Sequence, residues 1–168
     1  MQLNKTLLAA MVSLGMVSAA QASSGKIDFE GEVVDSACSV EAGDLLQSIN
    51  FGALSQSSLN GGGMSAPEDI NIILKNCDTT TLKNATITFG GATGHGDTFG
   101  VSGVDNVGVL LQHGGTTIKP GESVDRALIP GDNTLSFQAM AMGDADGTLK
   151  PVGTGKFSGT ADFKIDYN

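Results

Sequence analysis

Tryptophan is absent from this 168-residue chain, tyrosine occurs once and proline four times. A secreted monomer that recognises sugar or protein through a concave aromatic patch therefore has little to build with. The remaining aromatics are seven phenylalanines, several of them inside strand-like runs. Basic residues are scarce as well, with nine Lys and Arg against 18 Asp and Glu. So acidic a chain, with no basic cluster, repels nucleic acid and anionic lipid, and nucleic acid is excluded as a partner. The acidity fits a solubilising role on an exported surface. Beyond the N-terminal region no hydrophobic run is long enough for a membrane-spanning helix.

The N-terminus has a different character. Lys5 precedes the apolar run TLLAAMVSLGMVSA, and Ala20-Gln21-Ala22 offers small residues at cleavage positions. This is the layout of a secretory signal peptide, expected to occupy residues 1–22 and to be removed after Ala22. Lys5 is its one charged residue, so the mature chain keeps eight basic residues against the same 18 acidic ones. The two cysteines, Cys38 and Cys77, both follow the cleavage position. In an oxidising compartment an isolated pair forms one disulfide. Closing a loop of roughly 40 residues stabilises a fold by about 3–4 kcal/mol in the chain-entropy treatment. Neither cysteine has a His or second Cys at ligand spacing, which argues against a zinc site.

What the mature chain does have is glycine, 24 residues in the whole sequence, and short alternating runs between Gly, Asn, Asp and Ser clusters. Strands are expected at residues 26–34, 48–51, 69–75, 84–89, 107–112, 116–119, 134–142 and 160–167. Turn signals such as Asn60-Gly61-Gly62-Gly63, Gly114-Gly115 and Pro130-Gly131-Asp132-Asn133 separate them. A helical turn is expected only around 42–47. The spacing predicts one all-β domain, a sandwich with Greek-key connections.

Both ends of the mature chain alternate with unusual regularity. Near the N-terminus Ile27, Phe29, Gly31 and Val33 share one face, opposite Lys26, Asp28, Glu30 and Glu32. At the C-terminus Phe157, Gly159, Ala161, Phe163, Ile165 and Tyr167 share a face, opposite Asp162, Lys164 and Asp166. Chain ends usually fray, so a patterned end implies an apolar surface on which it docks.

Catalytic and metal-binding patterns fail on inspection. The loop GGATGHGDTFG around His95 lacks the strand, helix and lysine of a phosphate loop. His113 lies in a separate QHGG turn. Asp144, Asp146 and Gly147 open like a calcium loop, but its twelfth position is Gly155 rather than Glu. No GxSxG elbow or serine–histidine setting occurs. A non-enzymatic protein without cofactor or metal is expected.

The stretches GKIDFEGEVVDSACSV, IILKNC and GKFSGTADFKIDYN, with Tyr167 penultimate and Gly155 fourteenth from the end, together resemble the pilins of the chaperone–usher pathway, the type 1 and P-pilus subunits. The resemblance covers essentially the whole mature chain. It implies an incomplete immunoglobulin-like β-sandwich that lacks its last strand and is completed by a donor strand from another subunit. It implies that residues 23–34 form the donor extension, with Ile27, Phe29, Gly31 and Val33 entering a neighbour's groove, and that residues 35–168 form the pilin domain. It further implies that Gly155, Phe157, Gly159, Phe163, Ile165 and Tyr167 belong to the strand at the groove, where a periplasmic fimbrial chaperone pairs first. The partners expected from it are that chaperone, an outer-membrane usher and neighbouring fimbrial subunits, on a route through the periplasm to an extracellular fimbria.

Two readings of residues 26–34 stand side by side: a donor for a neighbour, or this domain's own first strand. Fifteen residues lie between the expected cleavage site and Cys38, a short arm that fits an adaptor or minor subunit, and the chain has no room for an adhesin's added lectin domain. The alternative in a different class is a monomeric secreted β-sandwich binding module.

Overall fold

Period-two burial organises the two longest strands. The computed structural model describes residues 26–31, 33 and 36–168; the expected signal peptide lies outside these residues. In β2, Glu68–Cys77, the side chains of Ile70, Ile72 and Leu74 turn inward. In β8, Gly131–Gly143, Leu135, Phe137 and Ala139 do the same, between exposed Thr134, Ser136 and Gln138. The two strands pair antiparallel from Glu68↔Ala139 to Cys77↔Gly131. Beyond Ala139 the alternation ends: Met140 is buried too, and near it the ring of His95 bonds the Met142 carbonyl.

The other elements complete two sheets. The larger has the order β1-β2-β8-β5-β4, with β1 at Ser39–Val40, β4 at Phe99–Gly100, β5 at Val107–His113, and β6 at Thr116–Ile118 paired to β5. The smaller has the order β7-β3-β9, with β3 at Asn84–Gly91, β7 at Ser123–Ala127 and β9 at Ala161–Tyr167. Two single-turn helices, α1 at Ala42–Leu45 and α2 at Gln56–Leu59, lie between β1 and β2. The product is the expected all-β, immunoglobulin-like sandwich. Its centre is Phe137 from one sheet meeting Phe89 from the other edge to face, ring centroids 4.9 Å apart. Ile72, Leu74, Ile87 and Leu135 are fully buried around them. Each such side chain contributes about 1.5–3 kcal/mol on leaving water.

Cys38 and Cys77 form the expected disulfide. A bulge places the second of them. Strict alternation after Leu74 would send Asn76 inward, but Asn76 takes a left-handed φ of 52° and the register shifts between Leu74 and Cys77. The extra residue turns Cys77 into the core, where it is 5 % exposed.

Two expected strands do not appear among the described residues. The described residues of 26–34 belong to no sheet, and Ile27, Phe29 and Val33 are exposed. Alternation marks a segment able to form a strand, yet a strand exists only against a partner. Residues 48–51 likewise join no ladder among the described residues. They run along one side of the cleft described next, and Gly52 then turns the chain at a φ of 67°.

Candidate functional site: an open cleft beside an edge strand

The small hydrophobic cluster of Leu59, Val107 and Val152, packed with Leu54, Val101 and Val104, lies apart from the main core. It lines a cleft of about 900 Å³. Residues 48–54 form one wall and residues 153–161 the other, over a floor that includes Ile70, Phe99, Val109, Leu111 and Ala139. Phe51 and Phe157 stack from opposite walls with centroids 6.2 Å apart. Hydrogen bonds hold α2 to the strand-like wall: Gln56 donates to the Val152 carbonyl, and Val152 N–H donates to Asn60 Oδ1 at 2.8 Å.

The wall 153–161 continues directly into β9, whose one neighbour among the described residues is β3. Along β9, Phe163, Ile165 and Tyr167 pack half-buried on the core while Asp162, Lys164 and Asp166 face solvent. An inner sandwich face ordinarily buries such residues fully. Here they stay half-buried at the rim of a sheet with one edge open. An open apolar edge of this kind is a template for another strand.

The expected groove residues therefore divide into two sets. Gly155, Phe157 and Gly159 line the cleft, whereas Phe163, Ile165 and Tyr167 extend the same line of chain along the core. Gly155 takes a φ of 144°, a backbone state that side-chain-bearing residues avoid. A Cβ on Gly159 would come within 2.9 Å of the Gly100 carbonyl oxygen, so the wall sits close against the β4 region. The Tyr167 hydroxyl is buried without a hydrogen-bond partner, and burial pushes its pKa up. Sequence reasoning expected a strand at 48–51 but not its place in the cleft, and missed the cluster of Leu54, Val101, Val104 and Val152. Their one sequence signal is isolated apolar residues within Gly- and Ser-rich loops.

The residues set aside as chemistry occupy other places. The His95 Nε2 contacts the Met142 carbonyl at 3.1 Å and the His113 Nδ1 contacts the Ser136 carbonyl at 2.8 Å. Those carbonyls are six residues apart on β8, about 20 Å along a strand, so the two rings do not meet. Asp144 Oδ1 accepts the Asp146 N–H at 2.9 Å, and Asp146 Oδ1 accepts the Leu149 N–H at 3.0 Å. The bond from the Asp146 backbone, with Lys150 nearby, holds the Asp144 carboxyl below its ordinary range. These carboxylates shape a turn.

An immunoglobulin-like sandwich with an apolar cleft beside an open edge strand is the domain of a pilin. The fimbrial protein family matches residues 27–168. The chain is 36 % identical to the fimbria A protein of Serratia marcescens over 99 % of both chains. It is 33 % identical to the Pap fimbrial major pilin protein of Escherichia coli, over 94 % of this chain and 93 % of that one. Among solved structures, the P pilus rod subunit PapA matches with a TM-score of 0.71 and 30 % identity, over 79 % of this chain and all of that one. A chaperone–usher pilus studied for rod uncoiling matches with a TM-score of 0.78 and 30 % identity, over 95 % of this chain and all of that one. The chain belongs to the fimbrial protein family and is a structural subunit of a fimbria, an extracellular surface fibre built of such subunits.

Proposed function

We propose that this subunit polymerises by donor-strand exchange. Residues 1–22 direct export to the periplasm, where a fimbrial chaperone supports folding and an outer-membrane usher receives the complex. Residues 23–34 are the donor extension and residues 35–168 the pilin domain. Ile27, Phe29, Gly31 and Val33 of one copy enter the cleft of the next, and the incoming backbone pairs with the free edge of β9. Gly155, Phe157, Gly159, Phe163, Ile165 and Tyr167 form the strand that meets first the chaperone and then the donor. The subunit acts by assembly, without catalysis.

The observation that carries this reading is the cleft itself, about 900 Å³ of largely apolar space running into an edge strand with one neighbour among the described residues. Three large side chains of matching character lie exposed on the arm: Ile27, Phe29 and Val33. The relatives are described as a major pilin and a rod subunit, which favours a place in the shaft over the adaptor or minor role that the short arm suggested. An unboiled SDS gel of surface material, probed for this protein, tests the reading. Strand-exchanged polymers give a high-mass ladder that collapses to one band on boiling. A single monomer band in both lanes refutes strand exchange and points to a self-completed binding module.

A further inference from the structure

The larger sheet holds a second place where a strand could add. β1 covers only Lys75 and Leu74 of β2, so the side of β2 away from β8 continues past the end of β1 toward Glu68. Alternate residues of a strand point their N–H and C=O groups to the same side. On β2 the outward set includes Asn71 and Ile73. Each is engaged by a side chain from the turn that follows β1. The Asp44 carboxylate accepts the Ile73 N–H at 2.9 Å. The Gln47 amide donates to the Asn71 carbonyl at 2.8 Å and to the Asp44 carbonyl at 3.1 Å. Burial does not explain why the turn lies there, because α1 buries none of its residues and Leu46 beside it is 88 % exposed. The polar bonds to the β2 edge are its visible work.

We infer that Asp44 and Gln47 determine which edge of the subunit accepts a strand. They occupy a donor and an acceptor of the β2 edge and leave the β9 edge receptive. The remaining outer strands are short, with two residues in β4, three in β6 and five in β7, and β7 carries Asp125 and Arg126. Short, charged edges resist pairing by themselves. Charge acts in the same direction. The wet face of the arm carries Asp28, Glu30 and Glu32, and the turn beside β2 carries Glu41 and Asp44. A misdirected arm would set carboxylate against carboxylate. The cleft wall carries Lys156 instead, and along β9 the charges are mixed, with Lys164 paired to Asp166 at 2.7 Å beside Asp162.

This inference rests on the strand-exchange reading, and one titration separates the two. The full chain is mixed with a synthetic peptide of residues 26–34 and the complexes are counted by native mass spectrometry. The native chain takes one peptide at saturation. The Asp44→Ala/Gln47→Ala chain takes a second, or forms peptide-seeded, thioflavin-positive aggregates that the native chain does not. Asp44→Asn, whose carbonyl still accepts the Ile73 N–H, stays at one. A double variant that stays at one peptide and does not aggregate overturns the role of Asp44 and Gln47. A native chain that binds none overturns strand exchange. Should the double variant not fold, amide exchange on the native chain decides the matter. The Ile73 amide is expected to exchange about tenfold to a hundredfold more slowly than a free amide, as a charge-assisted bond requires. Exchange at the free rate refutes the plugged edge.

Discussion

Truncating Phe29 to alanine tests whether the apolar face of the arm holds the fibre together, as proposed. The ring is 90 % exposed on the arm, so entry into a neighbour's cleft transfers nearly all of it from water. Burial of such a side chain contributes about 1.5–3 kcal/mol. Its loss at 2–3 kcal/mol corresponds to roughly a 30- to 150-fold change in equilibrium, expressed mainly in the rate of strand loss. Asp28→Ala is the matched control, because Asp28 lies on the alternate face of the same segment. Exposed substitutions of that kind change stability by about 0.5 kcal/mol or less, roughly twofold. Purified fibres are held in a fixed concentration of urea, and timed samples are run unboiled to follow decay of the ladder. Phe29→Ala fibres are expected to shed subunits tens of times faster, with Asp28→Ala fibres close to the native rate. Equal decay in all three refutes the facing of the arm. So does faster decay in Asp28→Ala than in Phe29→Ala.

Tyr167→Ala removes the last inward side chain of β9 and is expected to lower chaperone capture and periplasmic yield, read by co-purification and blotting; unchanged capture and assembly count against its docking role. Cys38→Ser frees Cys77 and opens the cross-linked loop, at a cost of about 4 kcal/mol in the chain-entropy treatment, so urea unfolding should shift by that amount; an unchanged midpoint shows the bond to be dispensable. The pH dependence of stability follows from Asp132, which accepts from Lys75 at 2.8 Å and from the Asn76 N–H at 3.1 Å. The Lys75 bond, and then the Asn76 bond, hold the Asp132 carboxyl below its ordinary range, while Asp132 raises the Lys75 ammonium. The carboxyl's contribution is present above its unfolded value of about 4 and is lost as pH falls through the lower folded value; the ammonium's is complete below about 10.4 and is lost as pH rises through the higher folded value. Thermal midpoints should therefore be level from about pH 5 to 9 and fall in acid, and Asp132→Asn should shrink that acid fall; an identical acid limb in the variant refutes the assignment.

The long strands were legible because burial on one face imposes period two, as Ile70-Asn71-Ile72 and Leu135-Ser136-Phe137 show. The strands missed carry no such imprint. β4 is only Phe99 and Gly100 inside a glycine-rich loop, and β7 reads Ser-Val-Asp-Arg-Ala on an exposed edge. The arm reversed the problem, since its alternation is as clear as that of any strand yet its described residues pair with nothing. A sequence records what a segment can bury, and the partner that buries it need not lie in the same chain. The cleft was the least legible feature. Its walls, 48–54 and 153–161, lie about a hundred residues apart and meet through topology. The β9 wall was reached through Gly155, Phe157 and Gly159 in the pilin resemblance, whereas the 48–54 wall was visible only as a short strand expected at 48–51, which joins no ladder among the described residues.

The disulfide sits where a fibre under tension would transmit its load. The arm joins the domain just before Cys38, and β1 beyond it has only two residues, Ser39 and Val40, a ladder that pulling would strip within a residue or two. The bond to Cys77 bypasses that ladder. In a fibre assembled as proposed it would pass the pull into the end of β2, which pairs with β8 from Glu68 to Leu74 and, past the bulge, at Cys77. A load that enters β2 is then shared by the many bonds of the β2–β8 ladder. In such a fibre the covalent link would spare the short β1 and let the middle of the sandwich carry the strain.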